Sequence, residues 1–288
     1  MGVKVISDST CDLSQELIER YDIDIIPLHV VLGEDEYLDG VTITPEQLYA
    51  WSDAHKSTPK TSALSIDMVM DAMKPALDRG DEVVIFSISS EMSTTANVMR
   101  MAAEELGASD RVFVVDSRNL STGVGIQAIM ASELAQQGKT GAEIVAYLKD
   151  VTPRVRTSFV VDVLTYLYRG GRCSGLAALA GSALKLHPRI GVADGKMSPG
   201  KKYRGHIDKF VTAYVKDQEE ALLHADPRRI FITHSGGAAD TVVPMVMDYL
   251  KSLNHFEEIL VTRAGSVISS HCGPGTLGLL YVDAAEAN

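Results

Sequence analysis

Short β-branched runs alternate with segments of helical length through the first half of the chain, and this alternation constrains the fold more than any other feature. Residues 3–6, 83–88 and 111–115 read as strands, and helices are expected from Ser14 through Tyr21, from Ser65 to Asp78, and over 93–106, 123–136 and 140–150. Helix starts are well signalled. Thr44-Pro45-Glu46-Gln47 combines a capping threonine, a first-turn proline and a glutamine three positions on, and Thr140 with Glu143 forms a second capping box. Strands separated by helices make βαβ units and hence a mostly parallel sheet, which binds ligands beyond the carboxyl ends of its strands. Pro27, inside the apolar run 23–32, marks an edge or irregular strand.

The pattern changes after Pro153. Strands are expected at 156–161, 230–233, 259–263 and 277–282, with helices at 177–186, 207–223 and 239–253. Glycines in YLYRGGRCSG mark a break, and Asp194-Gly195 suits the type I′ turn of a hairpin between 190–193 and 196–197. A chain of 288 residues exceeds one typical core. The expected organisation is an α/β domain with a mostly parallel sheet over 1–153 and a second α/β domain with a mixed sheet over 154–288.

Charge and motif content exclude several functions. With 27 basic and 38 acidic residues the formal charge is −11, which argues against broad nucleic-acid or anionic-membrane binding. No run approaches the ~18 apolar residues of a membrane span. The opening MGVKVISDST runs directly into a strand, so no secretory signal is expected. Cys11, Cys173 and Cys272 are scattered, as reduced thiols of a cytoplasmic protein would be, and form neither a disulfide framework nor a metal set. No HExxH, GxSxG or GxxxxGK[ST] occurs, and the glycines of GVGIQ and HSGG make no GxGxxG fingerprint. Neither a metal nor a nucleotide cofactor is therefore expected, and a binding protein is favoured over a self-sufficient enzyme.

Three polar clusters fall where loops into helices are expected: Thr61-Ser62, Ser89-Ser90-Glu91-Met92-Ser93-Thr94-Thr95, and Asp116-Ser117 with Ser121-Thr122-Gly123. Hydroxyls and free N–H groups at a helix start suit an anion, and the same residues equally serve as plain helix caps. His271 precedes Gly273-Pro274-Gly275, where it either meets an anion or is held by turn backbone. Arg169-Gly170-Gly171-Arg172 and the group Lys196, Lys201, Lys202 and Arg204 are basic islands, read as solvated loops or as docking patches for an acidic partner. Met68, Met70, Met73, Met99 and Met101 are assigned to ordinary core.

VISDSTCDL, the TS pair at 61–62, ISSEMS at 88–93, VVDSRNLSTGVG at 114–125, YLYRGGR at 166–172 and HCGPGTLGL at 271–279 together resemble the DegV family over essentially the whole length. The resemblance implies a three-layer α/β/α unit followed by a two-layer α/β unit, with a long-chain fatty acid in a tunnel near their junction. It implies a non-catalytic role: the binding subunit of a bacterial fatty acid kinase, whose partner carries ATP and converts the bound carboxylate to an acyl phosphate for phospholipid synthesis. Thr61, Ser62, Ser93, Thr94 and His271 would contact the carboxylate, and Arg172, with Arg204, would face the kinase. Two departures bear on pocket shape. Ala63-Leu64 replaces the usual glutamine-like residue and proline, and Ser93-Thr94-Thr95-Ala96 replaces Ser-Gly-Thr-Tyr. Two other function classes remain in view: a hydrolase or transferase using Ser93 or Cys272 with His271, and a lipid carrier or sensor without a kinase partner.

Overall fold

The computed structural model describes residues 2–173, 175 and 186–285. Its first part runs β1 (Val3–Asp8), α1 (Gln15–Arg20), β2 (Ile23–Ile26), β3 (His29–Leu32), β4 (Asp35–Leu38), α2 (Pro45–His55), β5 (Lys60–Ser62), α3 (Ile66–Asp78), β6 (Glu82–Ser87), α4 (Thr95–Glu105), β7 (Val112–Asp116), α5 (Thr122–Gln136) and α6 (Gly141–Val151). Strands β2-β1-β6-β7 form an all-parallel sheet. Alternation along β6 shows why helices cover both faces: Val83 and Ile85 join the core under α3 and α4, whereas Val84 and Phe86 face α5 and α6. Both expected capping boxes form, at Thr44–Gln47 and Thr140–Glu143, and Ser65 caps α3.

The apolar run around Pro27 yields two strands in different sheets. Strand β2 stays in the parallel sheet, while β3 pairs antiparallel with β4 and β5 in a separate three-stranded sheet. Proline carries no N–H for a ladder, so the chain changes sheets there. Thr61 and Ser62 accordingly lie on a strand of the small sheet, opposite Val30 and His29, rather than in a loop at the edge of the parallel sheet.

A 3-10 turn at Thr152–Arg154 leads into β8 (Val155–Val160), followed by α7 (Thr165–Gly170), β9 (His187–Ala193), β10 (Lys196–Tyr203), α8 (Ile207–Lys216), α9 (Glu219–Leu223), β11 (Ala225–His234), α10 (Ala239–Ser252), β12 (Glu258–Arg263), α11 (Ser266–Cys272) and β13 (Leu277–Asp283). The order β10-β9-β8-β13-β11-β12 is a mixed sheet, parallel only between β11 and β12. The helix expected at 177–186 lies outside the described residues, apart from Leu186. The helix expected over 207–223 breaks at Gln218, whose buried side chain accepts from Ser158 Oγ at 2.8 Å and so draws the backbone inward. The Asp194-Gly195 turn takes positive φ at both residues, 51° and 79°, as a type I′ hairpin requires.

Helix α5 joins the two sheets. Every residue from Thr122 to Ser132 is buried, because one side packs on the parallel sheet and the other on Phe231, Leu280 and Val282 of the mixed sheet. A helix buried all round needs apolar or small residues on every face, which this one has. The far face of the mixed sheet, with Ile230, Ile232 and Leu279, packs against α8 and α10.

Candidate functional site

A cavity of about 380 Å³ opens where the ends of β5, β6, β8 and β11 meet α11. That size lies within the usual range for a small-molecule site. One wall comes from the mixed sheet. Thr157 and Phe159 share a face of β8, Gly278 and Leu280 share the matching face of β13, and Thr233 lines the same wall from β11. Gly278 keeps that wall flat, since a Cβ there would lie 3.0 Å from the Ser158 carbonyl oxygen. Met197 of β10 continues the same face beyond Thr157, and Ile88, Met92 and Leu120 add further apolar lining. The β9–β10 turn is fastened beside this lining by Ser89 Oγ donating to the Gly195 carbonyl at 2.8 Å and by a Lys196–Glu91 ion pair.

The candidate headgroup residues from the sequence meet at this cavity, whose lining also carries hydroxyls such as Thr157 and Thr233. Thr61, Ser62, Ser93, Thr94 and His271 all line the cavity, brought together from β5, the turn into α4 and the last turn of α11. Thr61 Oγ1 lies 2.9 Å from His271 Nε2. Ser93 Oγ pairs with Thr95 Oγ1 at 2.9 Å, and Thr94, at the start of α4, makes no side-chain capping bond. His271 stands on a helix rather than in the turn expected from Gly273-Pro274-Gly275, which follows it. The seven residues of α11 show little helical patterning, and tertiary packing on α2, α7 and β5 makes the helix.

Burial holds the His271 ring neutral at physiological pH: desolvation, helped by the nearby Arg172 guanidinium, pushes its pKa down to about 4. Its Nδ1 faces Gly170, where a Cβ would lie only 2.5 Å away, and finds no hydrogen-bond partner among the described residues. An Nε2–H tautomer donates to Thr61, which leaves the Thr61 hydroxyl proton to donate onward into the cavity. Arg172 is exposed at the rim and donates to the Gly170 carbonyl at 2.8 Å. Arg204 does not line the cavity. It follows β10, exposed, about 20 Å along the strand from Met197.

Neither potential nucleophile is paired with His271. Cys272 is buried, its thiol is pushed up to about 12 by desolvation, and its Sγ faces the Gly273 carbonyl. Ser93 bonds Thr95 instead. A base with a pKa near 4 is also a poor proton acceptor for a hydroxyl at neutral pH. Among the described residues no group of three or more His, Cys, Asp or Glu could hold a metal ion. No helix among them is long and apolar enough to cross a membrane.

The DegV family model matches residues 2–284. The chain belongs to the DegV family. It is 32% identical to a DegV domain-containing protein of Deinococcus radiodurans, over 97% of this chain and 98% of that one. A fatty acid-binding protein of Thermotoga maritima is 31% identical over 96% of each chain. The structure superposes with a TM-score of 0.89 on a fatty-acid-binding DegV family protein from Thermus thermophilus, 30% identical, covering 99% of this chain and all (100%) of that one.

The family departures fall at the cavity: Ala63 and Thr94 line it, and Leu64 and Ala96 are buried beside it. Sequence reading missed most of the wall, including Thr157, Phe159, Met92 and Met197. The period-2 face of 157 and 159 was visible, but nothing local distinguishes a strand face lining a cavity from one lining a core. Of the methionines assigned to core, Met73 and Met99 are fully buried there, whereas Met101 is exposed.

Proposed function

We propose that this protein is a fatty-acid carrier. The acyl chain lies along the apolar wall of the cavity, and its carboxylate is held by Thr61, Ser62, Ser93, Thr94 and the Thr61–His271 pair. A partner fatty acid kinase, which supplies ATP, phosphorylates that carboxylate to an acyl phosphate, and Arg172 and Arg204 belong to the surface it meets. On this reading the units at 1–153 and 154–288 enclose the ligand at their junction.

One observation carries the reading: a cavity in which the hydroxyls of Thr61, Ser62, Ser93 and Thr94 and a neutral His271 come together beside apolar side chains such as Ile88, Met92, Leu120 and Phe159. Burying each methylene is worth about 0.8 kcal/mol, so a dozen contribute on the order of 10 kcal/mol gross, from which ordering and desolvation subtract several. A buried carboxylate needs donors, and hydroxyls supply them without a fixed salt bridge. The oxygens therefore stay nucleophilic toward a phosphoryl group. Fatty-acid binding by the Thermotoga and Thermus relatives supports the same ligand class.

Native mass spectrometry of protein purified from a bacterial host, followed by lipid extraction, tests the carrier role. The expected result is one fatty acid per chain. Protein that arrives bare and refuses added palmitate and oleate overturns it. Formation of acyl phosphate only when kinase, ATP and loaded carrier are combined tests the partner step.

A further inference from the structure

The opening segment VISDSTCDL contributes no side chain to the cavity lining. It supplies instead Asp8 and Asp12, which join Asp39, the residue after β4, as buried carboxylates. Asp8, Asp12 and Asp39 are each at most 5% exposed, and each accepts from the backbone of a segment that forms the cavity. Asp8 Oδ2 takes the N–H of Ile88 at 2.8 Å. Asp12 Oδ1 takes the N–H of Gly265 at 2.8 Å, while its Oδ2 accepts from Ser121 Oγ. Asp39 Oδ1 takes the N–H of Ser266 at 2.6 Å, and its Oδ2 accepts from Ser9 Oγ at 2.8 Å, which in turn accepts from Leu28 N–H.

Two of these acids, which come from the N-terminal part of the chain, converge on one place: the start of α11. Gly265 is required there by close approach, since a Cβ would stand 2.9 Å from Asp39 Oδ1. Helix α11 is only two turns, about 10 Å long, so its two ends move as one piece. His271 occupies the other end, against Thr61. Loss of either carboxylate would leave a buried N–H without an acceptor and free the helix start to shift.

We infer that Asp12 and Asp39 are positioning residues for the headgroup end of the cavity, fixing the first turn of α11 and thereby the distance from His271 to Thr61. The consequence for ligand affinity rests on the fatty-acid reading above; the effect on His271 does not.

The test uses the full chain, with two readouts. In ligand-free protein, ¹⁵N-histidine NMR follows the His271 ring signals, identified by their loss in His271→Gln; oleate affinity is measured separately. Asp39→Ala should shift the His271 signals and weaken oleate binding about tenfold or more. Asp39→Asn keeps an acceptor for the Ser266 N–H and should restore affinity to within about threefold of the parent protein. Ser132→Ala is the control. It removes a buried bond to the Tyr21 carbonyl far from α11 and should move neither readout. Unchanged His271 signals in folded Asp39→Ala overturn the inference. Should that variant fail to fold, Ser9→Ala and Gly265→Ala decide: a His271 shift in either supports it, and no shift in both overturns it. If the parent protein binds no oleate, the functional reading fails while the His271 signals still decide the positioning role.

Discussion

Thr61 and His271 lie 210 positions apart in sequence, yet Thr61 Oγ1 and His271 Nε2 are 2.9 Å apart on the lining of one cavity. Because the ring aims the hydroxyl, the two should act as a unit on a bound carboxylate. Thr61→Ala and His271→Ala are each expected to weaken oleate binding by about tenfold, roughly 1.4 kcal/mol. The double variant should lose much less than the sum of the two. Displacement of a fluorescent fatty acid checks both statements, and additive losses would show that the pair is not coupled.

The same histidine gives a pH signature. Its folded pKa, about 4, lies below the ordinary 6.5, so the unfolded chain takes up a proton that the folded site refuses. Its contribution to stability is fully present above pH 6.5 and is lost as pH falls toward 4. Asp8 works in the opposite sense. Desolvation raises its carboxyl to about 6 from 3.8, so its contribution is present at low pH and lost as pH rises through 6. Burial also raises the Asp12 and Asp39 carboxyls, which act in the same sense as Asp8. His271→Gln removes the histidine's contribution and should gain on the wild type by on the order of 3 kcal/mol between pH 6.5 and 4. Urea unfolding of both proteins across that range measures the difference, and parallel profiles would contradict it.

Much of the fold was legible because local signals agree with it. Ser14, Thr44, Ser65 and Thr140 each start a helix where the residue pattern placed one, and Asp194-Gly195 makes its hairpin. The failures share a cause. Whether 23–32 is one strand or two, whether 207–223 stays a single helix, and whether 266–272 is helical all depend on distant contacts: the partners of β3, the Ser158–Gln218 bond, and the acids at the start of α11. The five residues proposed to hold the headgroup were reached through the family resemblance. Composition and spacing alone stopped at three polar clusters, and one of these, Thr61-Ser62, proved to lie on a strand.

Gly170 illustrates a constraint that only the folded chain reveals. In sequence it is half of a glycine pair that reads as a helix stop. In space its Cα supports the His271 ring, and an added methyl group would stand 2.5 Å from Nδ1. Gly170→Ala should therefore push the ring away from Thr61 and weaken oleate binding by about tenfold, with stability lowered by about 1–3 kcal/mol from overpacking. A calorimetric melt with a binding isotherm reads both. Gly171→Ala separates this from general helix-end strain: Gly171 has φ 65° with nothing near its missing Cβ, so that change should lower stability and leave affinity near the parent value.

On the proposed carrier role, substitutions at Arg172 and Arg204 would separate a partner step from lipid binding. Arg172 sits at the cavity rim beside the headgroup residues, and Arg204 lies about 20 Å along β10 from Met197. The chain carries a formal charge of −11, so a kinase docking on these arginines must meet a local basic patch against an unfavourable overall field. Rim charges act mainly on encounter rates and are screened by salt. Arg204→Glu should therefore leave oleate affinity unchanged, slow kinase-dependent acyl-phosphate formation about tenfold at low ionic strength, and lose most of that deficit at high salt. Arg172→Glu should slow it at least as much. Its position by the headgroup also predicts a weaker carboxylate grip, so its oleate affinity falls where that of Arg204→Glu does not. A deficit confined to Arg172→Glu would restrict the docking surface to the cavity rim and remove Arg204 from it.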